Sequence, residues 1–348
     1  MLESLKTLPN WLKLWLIFPL AFLNGWLWLL LLDYLQPLVS LLIAAIILAF
    51  LLNFPIRLLQ ERGMDRGAAI GLVLTIALLL IGFIAVTLVP LILEQLSGLV
   101  SSLPRLLQSG NEQIQSFQAW AVERRLPVDL TGIVDQAISQ LSGILQATSS
   151  QLLSFFLSTI SSLLNIALVL VLTIFMVLNG KDAWNGLFNW LPQPWNLTLQ
   201  ASIQQTFRRY FATQALLASI LSLILTIAFL VLGVPYAVLF GVSIGLTTLI
   251  PYASPVTIVA VSLVVALQDF SLGLKVLVTA VIIGQLNDNI LSPRLMGNTT
   301  GLNPIWLIIA LFIGGKLGGI LGLLIAVPLA SVIKSTVDGL RSAALDTQ

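Results

Sequence analysis

The sequence predicts an all-α integral membrane protein. The architecture is a polytopic helical bundle with two Gly/Pro-broken helical hairpins in the C-terminal third and an amphipathic helical segment outside the hydrocarbon. Three observations carry this. Hydrophobic residues make up 58% of the 348 residues and charged residues 9%, whereas a soluble domain carries about 25% charge. The apolar residues gather into runs long enough for a bilayer core of ~30 Å at ~1.5 Å per residue. In the last third those runs are cut by Pro and Gly into pieces too short to span.

Composition also excludes function classes. The chain has no Cys and no His. Disulfide frameworks, thiol nucleophiles, His-based triads and nearly all transition-metal sites need those residues. A formal charge of +2 does not suggest nucleic acid as a partner. No phosphate-binding Gly-rich motif of the Walker type occurs, so no ATP-driven pump is expected. Neither an enzyme activity nor a cofactor is expected.

The elements follow in order. An apolar run at 14–32 predicts a retained first transmembrane helix, since it is too long for a signal-peptide core and no A-x-A site follows. Further spans are expected at 38–54, 68–89, 152–178, 212–232 and 273–291. The segment 90–151 is half polar but keeps a helical period. Leu93, Leu96, Val100, Leu103 and Leu107 form one stripe, and Leu130, Ile133, Val134, Ala137, Ile138 and Leu141 form another. This segment is expected to be extracytoplasmic, packed on itself, on a neighbouring subunit or on the membrane surface. The expected units are 1–89, 90–151, 152–211 with its interfacial Trp184, Trp190 and Trp195, and a core at 212–348. In that core, 236–250 stops at Pro251 and 256–267 resumes after Pro255, while 304–313 stops at Gly314-Gly315-Lys316 and 317–333 resumes. These are the expected hairpins, 236–267 and 304–334.

Basic residues set the expected orientation. With both termini, 54–67, 179–211 and 292–303 in the cytoplasm, eleven of the 16 Lys and Arg lie inside. Parity then requires each hairpin to return to the side it left. Broken helices at matching places in an inverted repeat point to a transporter site.

Candidate site residues follow from irregular backbone and from polarity at membrane depth. Pro251, Tyr252, Ser254 and Pro255 mark one break, with free carbonyls and two hydroxyls. Gly314, Gly315 and Lys316 mark the other, where exposed helix ends can meet an ion. Gln285, Asn287, Asp288 and Asn289 form the most polar cluster near a span. Asp288 is positioned to take a proton or a sodium ion, with the three amides completing an oxygen shell. The competing reading is a carboxylate at the membrane edge, paired with Arg294 or solvated by headgroups.

The order GVPYAVLFG, LIPYASPVTIVA and QLNDNILSPRLMGNTTGLNPIWLIIALFIGGKLGGILGLLIAVPLA resembles the autoinducer-2 exporter (AI-2E) family, also called PerM-type permeases. Arg209-Tyr210-Phe211 with Gln214 fits the same pattern. Three positions depart from it: Ser254 and Thr213 stand where the family has Gly, and Asp288 where it often has Glu. The resemblance implies a secondary transporter, homo-oligomeric, in a bacterial inner membrane. It leaves open export of a small organic signal such as autoinducer-2 or sodium(lithium)/proton antiport. The expected partners are therefore the lipid bilayer, a small-molecule or monovalent-cation substrate and further copies of the chain. The alternatives are a passive oligomeric channel and a non-transporting membrane scaffold. In the transporter reading the two hairpin tips meet near the midplane beside Asp288.

Overall fold

The computed structural model describes residues 34–124, 163–188, 195–296 and 302–345, together with Gly143 and short helical stretches within 19–31. The second amphipathic stripe near 130–145, the first part of the span expected at 152–178, and Trp190 lie outside the described residues.

The elements are α1 (Gln36–Glu61), α2 (Arg66–Glu123), α3 (Leu163–Phe188), α4 (Trp195–Val231), α5 (Ala237–Thr247), α6 (Ala253–Gln268) and α7 (Phe270–Leu286). A π-turn (Asn287–Leu291), α8 (Ser292–Met296) and α9 (Pro304–Leu345) follow. No strand occurs among the described residues. Lipid offers no partner to backbone N–H and C=O groups, so a chain this apolar must satisfy them within its own helices. Five helical stretches among the described residues are long and apolar enough to cross a membrane. One of these, within α9, is not a straight span.

α9 folds back on itself at Gly319, whose φ of 56° and ψ of −137° interrupt the helix. Glycine alone takes that conformation without strain. Gly314 and Gly322 would be ~12 Å apart on a straight helix. Instead a Cβ on Gly314 would lie 2.5 Å from the Gly322 carbonyl oxygen and 2.9 Å from the Ala326 Cβ. Gly315 faces Leu323. The two arms are therefore antiparallel and in backbone contact, which makes α9 the second of the expected hairpins. The first is α5 and α6, joined by a turn at 248–252. Its helices are ~16 Å and ~24 Å long, short of the ~30 Å hydrocarbon.

α2 differs from the expected organisation. It runs for 58 residues through Pro90 and Pro104, ~87 Å in all, so no break separates the span at 68–89 from the amphipathic stretch that follows. Each proline removes one backbone donor and bends a helix without ending it when packing supports both sides. The stripe that is buried is Leu96, Leu99, Leu103 and Leu106. Its cover is the first hairpin of the same chain. Gly98 lies against the Tyr236 ring, and Gly110 against Leu267. Two glutamines fix the contact. Gln95 Oε1 accepts from Leu239 N at 2.8 Å. Gln113 accepts from Phe270 N at 2.9 Å and donates to Leu267 O at 3.0 Å. This satisfies backbone groups of the α6–α7 turn, where Asp269 also caps α7 by accepting from Leu272 N.

The main core joins these elements. Leu221, Leu225 and Phe229 of α4 meet Phe240 and Ile244 of α5, Val265 of α6 and Val276 of α7. A second cluster places Ile56 of α1 on Ala69, Ile70 and Val73 of α2. A third seats Val327 of α9 on Tyr210 and Phe211 of α4, with Ile47 of α1 alongside.

Candidate functional site

α4 is the helix that both hairpins share. The first hairpin packs on α4, α7 and α2, and the second on α4 and α1. Two side-chain contacts, one to each hairpin, fall within about one turn of α4. Tyr210 and Phe211 hold the second hairpin at Val327. Gln214 Nε2, in a residue only 7% exposed, donates to the Thr248 carbonyl at the tip of the first. Thr213 beside it is also buried.

The tip of the first hairpin is strained. Tyr252, at the start of α6, has φ 66°, a left-handed conformation that costs a non-glycine residue of order 1–2 kcal/mol. Its side chain is exposed, Pro251 and Ser254 are half-buried, and Pro255 is exposed. Tyr236 takes the same conformation at the start of α5, with φ 59°. There packing supports it: the ring stacks edge-on to Phe240 and the hydroxyl lies 3.3 Å from Ser102 Oγ. Among the described residues, no ring contact or side-chain hydrogen bond holds Tyr252. Backbone strain of this kind concentrates where segments bind or move.

The polar cluster 285–289 sits where α7 becomes a π-turn. Such turns insert one residue into the helical register and recur at functional sites. The register change separates the four side chains. Asn287 is turned inward and is 4% exposed, while Gln285, Asp288 and Asn289 are exposed. Asn287 Nδ2 donates to Asp288 Oδ1 at 3.0 Å, and Asn289 Nδ2 donates to Gln285 Oε1 at 2.7 Å. Asn287 Oδ1 is buried without a hydrogen-bond donor. A buried acceptor left unpaired costs about 1–3 kcal/mol, and such an atom calls for an explanation. Arg294, the partner the sequence offered, forms no ion pair with Asp288 among the described residues. The donor set is thus one carboxylate and amide oxygens. These hard oxygen ligands suit an alkali cation, with one negative charge for one positive.

The sequence-derived residues do not all gather at one point. Asn287 and Asp288 are joined directly, as are Gln285 and Asn289. The π-turn and the first tip are both held on α4. Gly314 and Gly315 lie inside the second hairpin, against its own other arm, and Lys316 is exposed beside the bend. That hairpin reaches α4 through Tyr210 and Phe211. Tyr210 and Gln214 stood in the sequence only as marks of resemblance, not as site residues. The signal for them was polarity, Thr213-Gln214, inside an otherwise apolar span.

Half-length helices folded back as hairpins, with a polar π-turn beside them in an apolar bundle, define a multi-pass membrane protein of transporter type. Residues 16–342 match the AI-2E family transporter pattern. A Synechocystis protein, sll0063, provisionally named a transport protein, is 35% identical over 344 residues, covering 98% of this chain and 87% of its own length. A second Synechocystis protein, sll0060, with the same kind of name, is 30% identical over 94% of this chain and 96% of its own. The Escherichia coli (strain K12) protein provisionally named permease PerM is 27% identical, with 85% of each chain covered. The chain belongs to the AI-2E transporter family.

Proposed function

We propose that this chain is a secondary transporter coupled to a monovalent cation, with Asp288 and Asn287 holding the ion. One observation carries the reading. The π-turn sets a buried amide oxygen next to a carboxylate, and among the described residues the first has no donor and the second no cationic partner. An ion entering there supplies the charge that Asp288 lacks and the partner that Asn287 Oδ1 lacks. Sodium or lithium bound at one stage and a proton at another would make the site an exchanger. Export of a small organic signal driven by the same ion is the other form the coupling can take. The first hairpin supports the reading, because its strained tip is held by α4, which also contacts the π-turn. The bias of Lys and Arg supports cytoplasmic termini, and the exposed apolar faces are consistent with a lipid-embedded homo-oligomer in a bacterial inner membrane.

The test uses purified protein in liposomes loaded with a pH-sensitive dye. Sodium or lithium is added outside, and internal pH is followed for wild type and Asp288→Asn. A proton flux that requires the cation and disappears in the variant is expected. No flux from well-folded wild type would end the antiport reading and favour signal export, a channel or a scaffold.

A further inference from the structure

We propose that the cleft between α1 and α4 is a binding site for an anionic phospholipid, with the headgroup phosphate at its charged end and an acyl chain along its apolar end. The cleft has a volume of about 800 Å³, inside the range of roughly 300–1,000 Å³ typical of small-molecule sites. It opens to the protein surface, and Leu295 of α8 lines part of it.

Its charge is one-sided. Arg57, Arg208 and Arg209 line it against a single carboxylate, Glu61. None of these four side chains forms an ion pair among the described residues. Guanidinium groups pair with phosphate oxygens through two parallel hydrogen bonds, and they tolerate partial burial better than ammonium groups do.

Its polarity is graded in the way an amphiphile requires. The Phe50 and Phe207 rings lie 5.8 Å apart. Ile47, one turn earlier on α1, packs against the cluster of Tyr210, Phe211 and Val327, whose first two members lie one turn later on α4. The two helices therefore run antiparallel here. On α1 the lining passes from Leu51 and Leu52 to Arg57 and Glu61. On α4 it passes from Arg208 and Arg209 to Leu216 and Ser219. Antiparallel packing makes both gradients run the same way, with Arg208 and Arg209 ~12 Å further along the cleft than Arg57, and Leu216 beyond them. A free anion would use only the first end. Basic pockets between membrane helices hold phospholipid headgroups by this combination. The inference does not depend on ion coupling at Asp288.

The test is native mass spectrometry of the full chain, released from micelles doped with equal amounts of dioleoyl phosphatidylglycerol and dioleoyl phosphatidylcholine. Retention of phosphatidylglycerol alone is expected. Arg57→Gln combined with Arg208→Gln should weaken it roughly thirtyfold, from the usual contribution of two basic residues near a membrane surface. Leu216→Trp, which fills the apolar end and keeps every charge, should also abolish retention. Millimolar inorganic phosphate should leave the adduct in place. Equal retention of both lipids, an unchanged glutamine variant, or displacement by inorganic phosphate would overturn the proposal. Should the glutamine variant fail to fold, the tryptophan variant decides: phosphatidylglycerol retained there overturns it.

Discussion

At the scale of single residues, Asn287 is the group that most needs an explanation. Its amide nitrogen serves Asp288 at 3.0 Å, while its oxygen is buried with no donor. A residue kept only for stability would not be left this way. Removal of the Asn287 amide deletes an unpaired buried acceptor, and the exposed Asp288 can take water in place of the lost amide donor. Asn287→Leu should therefore leave the unfolding temperature in detergent unchanged or higher, while cation-dependent proton flux is lost. A destabilised protein with normal flux would mean that Asn287 is structural. The polar run QLNDN was legible in the sequence. Which amide turns inward was not. A period of 3.6 residues assigns faces along α7, but the π-turn adds a residue and shifts every face beyond it.

At the scale of elements, the hairpins were legible because Pro and Gly interrupt apolar runs at lengths that cannot span. The pairing inside α9 rests on its glycines. A Cβ on Gly314 meets a backbone oxygen at 2.5 Å, whereas one on Gly318 meets nothing within 4 Å. Gly314→Ala should lower stability by about 1–3 kcal/mol, the usual cost of overpacking a tight contact. Gly318→Ala should be within about 1 kcal/mol of wild type, since alanine favours helix. Thermal unfolding in detergent checks both, and an equal loss in the two would contradict the antiparallel contact. The course of α2 was less legible. Its leucine stripe announces that something covers it, but amphipathicity names no partner. The cover is the chain's own first hairpin, and the pairing is specified by Gln95 and Gln113 binding backbone groups about 150 residues away. The boundary expected at 89–90 rests on a change of polarity, and α2 carries that change without a break in its helix.

At the scale of the whole molecule, two hairpins are fixed to one helix, α4, through different side chains. Tyr210 and Phe211 hold one, and Gln214 holds the other. A tilt of α4 would move both. Under the proposed coupling, such a tilt would open the site to one side and then the other. The spans expected at 38–54, 68–89, 212–232 and 273–291 could be read from hydropathy, and long apolar helices lie over them among the described residues. The sharing of α4 could not, because it depends on long-range packing that no local pattern encodes. The central claim is that ion movement here is coupled rather than passive. The most direct measurement imposes a pH gradient on proteoliposomes, acidic inside, with equal radiolabelled sodium on both sides, and follows sodium inside. Coupled exchange predicts that sodium accumulates above its outside concentration in wild type and not in Asp288→Asn. Sodium that never rises above the outside concentration in active wild-type vesicles would contradict the account and indicate a passive pathway.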